Sequence, residues 1–378
     1  MTEQQAHSPL GASGAERWMN CPGSVTLLKA LDLPETDEPD YRREGTAAHE
    51  ALAHCLQKDV ATWEIVGQKF YDTEVTAGMA DAISVFLQVA RSHRTEGSKI
   101  LIEQRIQFKQ HKDGYGTVDY AEIAGNRLDV DDYKHGIGVA VDVEHNPQVM
   151  YYAYGILQDH PEIKDVYLRI VQPRAFHPEG PVRLWVTTAD VIREWAETEL
   201  IPAMNAVEID NSLDAGKWCR FCPAKLVCPL MKSLFGAAMQ ANPKNIPNLS
   251  DEELGRSYQY TEAVKSYLKA MEEETFRRLN LGREVPDVKL VYKKANRVFK
   301  DGALEVFRDK FGGEAYTEPE LKTPAQMEAL GGEAKEMVKS WAYTPVTGLT
   351  VALARDKRPG VKVQPTADTF PNAVALAQ

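Results

Sequence analysis

The chain has 378 residues, of which 43% are hydrophobic and 26% are charged. These values are typical of a globular protein that is long enough for two cores, and no stretch is apolar enough to predict a membrane span. The formal net charge of -11 disfavours a protein that coats nucleic acid through general charge, although a nuclease with acidic metal ligands is compatible with it. Residues 1–18 lack the basic and apolar regions of a secretory signal, so a cytoplasmic location with reduced thiols is expected.

The predicted elements before residue 230 mix helices and strands. Hydrophobic spacing predicts helices over residues 41–56, 75–90, 146–157 and 187–207, the last with Thr188 as N-cap. Short β-branched runs that are bounded by Gly or Asn predict strands over residues 98–108, 115–124, 127–136 and 165–173. The order of these elements indicates an α/β fold with a mixed layer of strands.

The remainder of the chain is predicted to be an accessory region. Asn and Pro without periodicity predict a linker from about residue 235 to 250. The longest helix signal follows it and opens with a Ser250-x-x-Glu253 capping box. Residues 289–300 carry cations, Tyr292 and Phe299 but no acid, so a DNA-contacting strand pair and a solvated hairpin are both open interpretations. Residues after Pro365 are predicted to be flexible.

Four of the five cysteines have a spacing that is typical of a metal centre. Three of them follow C-x2-C-x5-C, and such a group needs a fourth ligand from elsewhere. These three are Cys219, Cys222 and Cys228. Pro22 and Gly23 predict a tight bend that presents Cys21 as the fourth ligand, whereas Cys55 lies in a helical run and is predicted to be core. The spacing does not separate a zinc ion from an iron-sulfur cluster.

Acidic residues converge on two neighbouring strands. Alternation along 127–134 puts Asp132 and Lys134 on one face, and Asp129, Asp131 and Tyr133 on the other. A short turn at residues 125–126 could bring Asp119 on the preceding strand beside Asp132. Two carboxylates and a lysine suit a hydrated Mg²⁺ ion, although an exposed charged hairpin explains the D-x-K pattern alone.

These motifs occur in the order found in the RecB-type nucleases of the PD-(D/E)XK superfamily, which the chain resembles over about residues 10–232. The resemblance is strongest to the iron-sulfur branch that includes the AddB subunit and the CRISPR-associated exonucleases. Further segments, SGAERWMNCPGS, IVQPR and DKRP, resemble an uncharacterised group of bacteriophage and prophage proteins. The matching residues are Gly45 to His49, Glu103, Gly116 to Asp119, Asp132 to Lys134, Gln148 to Tyr152, and Cys21 with Cys219, Cys222 and Cys228.

The resemblance implies a restriction-endonuclease-like core over residues 1–235, with a mixed sheet flanked by helices. It implies that Asp119 and Asp132 bind Mg²⁺ or Mn²⁺, with His49, Glu103 and the carbonyl group of Tyr133 as further ligands. The remaining motif residues would act on water and DNA. Lys134 would orient the attacking water, and Gln148 and Tyr152 would contact the DNA backbone or Lys134.

The implied function is a metal-dependent DNA exonuclease that leaves 5′-phosphates and carries a 4Fe-4S cluster, with zinc as the alternative at the cysteines. Recombination, replication or end processing of phage DNA would be its context, inside the host cytoplasm. A single-strand annealing or single-strand binding protein and a homo-oligomer are compatible partners. Two other classes stay open, namely a DNA-end-binding or assembly module with a vestigial site and a zinc-containing interaction protein.

Overall fold

A computed structural model describes residues 8–31, 40–240 and 249–288 of the chain. The chain divides into two compact units, Met1–Ala295 and Asn296–Gln378, and all described residues belong to the first. This unit includes residues on both sides of the predicted linker. The basic segment 289–300 and the tail after Pro365 lie outside the described residues.

The described elements follow an α/β order. The strands are β1 (Lys69–Phe70), β2 (Thr73–Glu74), β3 (Lys99–Gln107), β4 (Tyr115–Ala124), β5 (Arg127–Tyr133), β6 (Asp165–Val171) and β7 (Val182–Thr188). The helices are α1 (Ala15–Asn20), α2 (Gly23–Ala30), α3 (Asp40–Lys58), α4 (Ala77–Ser92), α5 (Pro147–Leu157), α6 (Ala189–Trp195), α7 (Ile201–Ile209), α8 (Pro229–Gln240), α9 (Asp251–Tyr258) and α10 (Thr261–Asn280). None of them is both long and apolar enough to cross a membrane.

A mixed five-stranded sheet with the order β3-β4-β5-β6-β7 lies at the centre. Only the β5–β6 pair is parallel, and α5 makes the crossover that a parallel pair requires. Strands β4 and β5 are joined at Gly125, whose φ of 61° is accessible to glycine at low cost. One apolar core lies between the sheet and α5 to α7, and a second lies between the opposite face and helices α3 and α4. The predicted mixed α/β layer is therefore confirmed.

The segment around Cys21 differs from the predicted tight bend. Cys21 follows α1 directly, and Pro22 adopts helical angles as the N-cap of α2. Gly23 instead allows a close backbone approach, because its N–H donates to Ser212 O at 2.9 Å and a Cβ atom would lie 2.7 Å from that oxygen. The glycine thus packs α2 against the chain before Cys219.

Other element boundaries also differ from prediction. Strand β5, predicted over residues 127–136, ends at Tyr133, and β7 was not predicted. The helix over 187–207 is confirmed with Thr188 as N-cap, but a π-helical turn at Ala196–Leu200 interrupts it. Helix α8 runs to Gln240, into the segment predicted as linker, and the predicted longest helix is broken between α9 and α10. Its capping box between Ser250 and Glu253 is confirmed.

Candidate metal centre and cysteine pocket

Three side chains from three elements converge beside the point where strands β4 and β5 separate. His49 on α3, Glu103 on β3 and Asp119 on β4 each offer a ligand atom, and these atoms lie within 4.8 Å of one another. His49 Nδ1 lies 3.1 Å from Asp119 Oδ1. One imidazole and two carboxylates form a donor set that suits Mg²⁺ or Mn²⁺. The residues present therefore fit a divalent ion.

Asp119 occupies the point where strands β4 and β5 separate. Their ladder ends at the pair Tyr120–Asp131, so the N–H group of Tyr133 has no strand partner on β4. That N–H donates instead to Asp119 Oδ2 at 2.7 Å. The hydrogen bond fixes the carboxylate between the strands and leaves Oδ1 directed toward His49.

Glu103 has a backbone conformation that is unusual for a strand. Its φ is 46°, in the left-handed region, although its neighbours Ile102 and Gln104 both pair with β4. A non-glycine residue in this region costs free energy, and such residues concentrate at functional sites. Burial, together with the adjacent Asp119 carboxylate, raises the pKa of Glu103 to about 7.

The protonation of the other two ligands is set by their mutual contact. Burial lowers the pKa of His49, but the Asp119 carboxylate outweighs burial and the pKa reaches about 9. Burial acts to raise the pKa of Asp119, yet the imidazolium of His49 and the Tyr133 N–H hold it below its usual value. In the metal-free protein these two groups therefore form an ion pair that a metal ion would have to displace.

A second cluster surrounds Asp132 on the neighbouring strand. The Gln148 amide donates to Asp132 Oδ1 at 2.8 Å and accepts from Lys134 Nζ at 2.8 Å. Lys134 Nζ also lies 2.8 Å from Asp132 Oδ2, a buried atom with no aligned hydrogen bond from the described residues. Burial, partly opposed by Lys134, raises the pKa of Asp132. Asp132 and Lys134 thus form an ion pair that Gln148 bridges.

Tyr152 lies beneath this cluster, one helical turn after Gln148. Burial and the nearby Asp132 carboxylate raise the pKa of its hydroxyl well above the usual value, so the group stays neutral. A Cβ atom on Gly116 would lie 3.1 Å from the Tyr152 ring. The glycine of the G-x-x-D motif thus makes room for the tyrosine of the Q-x-x-x-Y motif.

The structure brings together most of the predicted site residues, with two differences in detail. Asp132 does not belong to the group of ligand atoms within 4.8 Å and instead binds Lys134 and Gln148. Tyr133 contributes its backbone N–H group, which donates to Asp119 Oδ2, and a ligand role of its carbonyl group stays a prediction.

A further network beside the site was missed from the sequence. Glu44 accepts a hydrogen bond from Arg174 Nη1 at 2.7 Å and lies 3.2 Å from His135 Nε2. The other ring nitrogen of His135 lies 2.8 Å from the Tyr133 hydroxyl, and the Tyr133 ring contacts His49. The sequence signal that could have identified these residues is their position next to motif residues, because Glu44 precedes Gly45 and His135 follows Lys134.

The four predicted cysteine ligands line one pocket with about 320 Å³ of empty space. The pocket lies between the α1–α2 corner and the segment that leads into α8, and α10 packs against the same cluster. Burial raises the pKa of Cys219 to about 11, and it also raises the pKa of Cys21 and Cys222. The fifth cysteine, Cys55, is buried in the second core, as predicted.

The spacing of these sulfur atoms bears on the kind of centre they fit. Four sulfurs around one zinc ion at 2.3 Å lie about 3.8 Å apart. No three of the four Sγ atoms lie within 4.8 Å of one another. Among the described residues, the four cysteines therefore share a pocket without forming a close group of ligand atoms for a single ion.

A family model gives the comparison with known proteins. The model is described as "Protein of unknown function (DUF2800)", and it matches residues 7–359. This range contains the three-ligand group, the Lys134 cluster and all four cysteines of the pocket. Because the match extends over most of its length, the chain belongs to the DUF2800 family.

Proposed function

We propose that this protein is a metal-dependent DNA nuclease with a core of the PD-(D/E)XK type. The observation that carries the proposal is the convergence of His49, Glu103 and Asp119 beside the ion pair of Asp132 and Lys134. Hydrolysis of a phosphodiester needs a site for a hard cation and a group that orients water, and these two clusters supply both.

The residues of the chain have distinct parts in such a reaction. A divalent ion, when bound, supplies charge stabilisation at the scissile phosphate. Lys134 is held by Asp132 and Gln148, so its remaining N–H can orient a water molecule. The water oxygen forms a bond to phosphorus as the bond to the 3′ oxygen breaks, which leaves a 5′-phosphate. The proton lost by the water is released to solvent, and the 3′ oxygen takes up a solvent proton.

The resemblance described above favours an exonuclease that processes phage DNA ends. We also propose that the cysteine pocket holds a 4Fe-4S cluster, with zinc as the alternative. The support is the common pocket that the four cysteines line. In this arrangement the cluster would stabilise the fold, since its ligands join the α1–α2 corner to a segment late in the chain.

The test is digestion of an end-labelled linear duplex by anaerobically purified full-length protein. We expect release of label with Mg²⁺ or Mn²⁺, none with EDTA, and loss of this activity in Asp119→Ala. Asp190→Ala is a matched control, because the Asp190 side chain is 96% exposed on α6. Substrates labelled separately at the 5′ and 3′ ends would give the polarity.

Three outcomes would contradict the proposal. Cleavage that persists unchanged in Asp119→Ala would show that the activity does not depend on this site. A duplex that is bound and shifted in a gel but never cut would instead support the alternative of a DNA-end-binding module. Binding that fails as well would remove the nucleic-acid function.

A further inference from the structure

Two cations line the pocket of the four cysteines. Arg17 projects from α1 and Lys225 from the turn before α8, and both side chains are half-buried at the pocket wall. A cation is costly to bury unless negative charge compensates it. The cysteines are the groups that can supply that charge.

Arg17 is held in its position by the segment that follows Cys21. Its Nη1 atom donates to the Ser24 hydroxyl at 2.7 Å. Its guanidinium group interacts electrostatically with Cys21 and Cys222, which come from opposite sides of the pocket. The arginine thus faces one sulfur from each of the two chain segments.

Lys225 is fixed on the other side by a backbone contact. Its Nζ atom donates to the carbonyl oxygen of Arg220 at 2.8 Å, across the turn that carries Cys222. Glu273 on α10 and Cys222 act on its ammonium group as negative partners, while Lys269 and Arg220 act as positive ones. This contact places the ammonium group of Lys225 near the turn of the C-x2-C motif.

One carboxylate of the pocket wall, that of Asp214, offsets part of these two charges. Asp214 is the acidic residue of the pocket wall, and its Oδ1 atom accepts from the N–H group of Ala215 at 2.7 Å. The backbone N–H of Asp214 donates to Cys21 Sγ at 3.4 Å. The wall therefore offers two cations and an N–H donor to the sulfur atoms.

We infer that Arg17 and Lys225 are positioning residues that set the reduction potential of the cluster proposed for this pocket. The inference rests on the proposed cofactor. A cluster held by four thiolates is an anion, and one-electron reduction adds a further negative charge. Cations beside the thiolates stabilise the reduced form more than the oxidised form, because their attraction grows with that charge. The two residues therefore raise the potential.

The test is a redox titration of the full-length protein after anaerobic purification. Dithionite supplies the electron, dye mediators equilibrate it, and the electron paramagnetic resonance signal reports the reduced cluster. We expect Arg17→Gln and Lys225→Gln to lower the midpoint potential at unchanged iron and sulfide content. Arg17→Lys and Lys225→Arg should have midpoint potentials close to that of the wild type, because they keep the positive charge.

Two controls separate charge from structure. Lys29→Gln removes an exposed cation from α2 and should leave the potential unchanged. Ser24→Ala keeps both cations but releases Arg17 from its hydrogen bond and removes the hydroxyl group that also hydrogen-bonds Cys21, so a smaller shift in the same direction is expected. If Arg17→Gln loses iron, Lys225→Gln and Ser24→Ala carry the same test.

Equal potentials in the wild type and in the two glutamine variants would overturn the inference while leaving the cluster in place. A colourless wild-type protein that contains zinc or no metal would overturn both the inference and the proposed cofactor. Neither result bears on the DNA digestion assay, which depends on Asp119 and added Mg²⁺.

Discussion

The Lys134 ammonium group has partners on two elements. Asp132 on β5 and Gln148 on α5 both lie 2.8 Å from its Nζ atom, so its position is fixed before any substrate binds. We expect Lys134→Ala to reduce the cleavage rate by about 10²-fold or more, which is the typical effect of removing one positioned electrostatic group. The DNA affinity should stay nearly unchanged. Single-turnover cleavage and a binding titration with EDTA would measure the two quantities.

Lys164→Ala is the matched control for this prediction. Its side chain is exposed at the start of β6, so its removal also deletes one positive charge but leaves the site intact. Retained turnover in Lys134→Ala would contradict the mechanism, and an equal loss in both variants would indicate a general charge effect.

Gly45 has no side chain on the surface of α3, one helical turn before His49. A Cβ atom at this position would contact nothing within 4 Å, so packing within the described residues does not require the glycine. Gly45→Ala should raise the free energy of unfolding by about 1 kcal/mol through helix propensity. If the DNA strand passes over this face, the same change should lower cleavage, which chemical denaturation and the digestion assay would show together. Unchanged activity would mean that the strand does not approach Gly45.

Metal affinity should depend on pH through two ligands. The pKa of His49 is raised to about 9 and that of Glu103 to about 7, so each loses a proton when a cation binds. Mn²⁺ affinity is therefore expected to rise as pH increases, first through about 7 and then through about 9. The sign for folding is the opposite: stability of the metal-free protein should fall over the same two steps, because both groups hold their protons more strongly when folded.

Calorimetric titration with Mn²⁺ across this pH range would test the expectation. Glu103→Gln should remove the step near 7 and keep the step near 9. A pH-independent affinity would contradict the assignment of these two residues as ligands.

The candidate site was largely predictable at the residue level because its motifs occur in the order found in the nucleases that the chain resembles. His49, Glu103 and Asp119 were named from the sequence, and the structure brings them together. The left-handed φ of Glu103 was not predictable, because strand propensity says nothing of a single reversed residue. The role of Arg17 was equally hidden, since one of its two cysteine neighbours, Cys222, lies about two hundred residues later in the chain.

At the scale of elements, strands β4 to β6 share a buried charge network on the sheet face opposite Asp132. Asp129 accepts from Arg127 at 2.7 Å and from Arg169 at 2.6 Å, and Arg169 also donates to Asp131. His93 at the end of α4 lies 2.8 Å from Asp131. The network joins α4 to the strands that carry the site.

Removing one cation from this network should be strongly destabilising. Arg169→Met leaves Asp129 and Asp131 buried with less compensation, which typically costs about 3–5 kcal/mol. Arg193→Met is the control, because its pair with Asp190 is exposed and should contribute less than about 1 kcal/mol. Chemical denaturation of both variants would decide, and equal stabilities would contradict a structural role for the network.

The prediction of elements failed where long-range contacts outweighed local pattern. β7 was missed although it pairs with β6 along its length, because Leu184 and Val186 are exposed on an edge strand and blur the alternation. The bend expected at Cys21 is a helix junction, because Gly23 is used for close packing rather than for a turn. Helices with a clear 3.6-residue period and strong caps were predicted nearly to their ends.

At the scale of the whole molecule, the cysteine pocket joins segments from the beginning and the end of the described chain. Cys222→Ser should remove the visible absorbance and the iron, and it should lower the melting temperature, because α1, α2 and α10 meet at this pocket. Cys55→Ala is the control, because Cys55 is buried in the other core and does not line the pocket. An unchanged, colourless protein would count against any cluster.

The contact between Asp214 and Cys21 joins residues that are 193 positions apart. On a ribosome that adds about 5–20 residues per second, Cys21 therefore leaves the exit tunnel roughly 10–40 s before its partners. During that interval the sheet can form, while the other three cysteines of the pocket have not yet been synthesised. Insertion of the proposed cluster would then be a late event in biogenesis, and truncated nascent chains that stop before Cys219 should fold their sheet without acquiring iron.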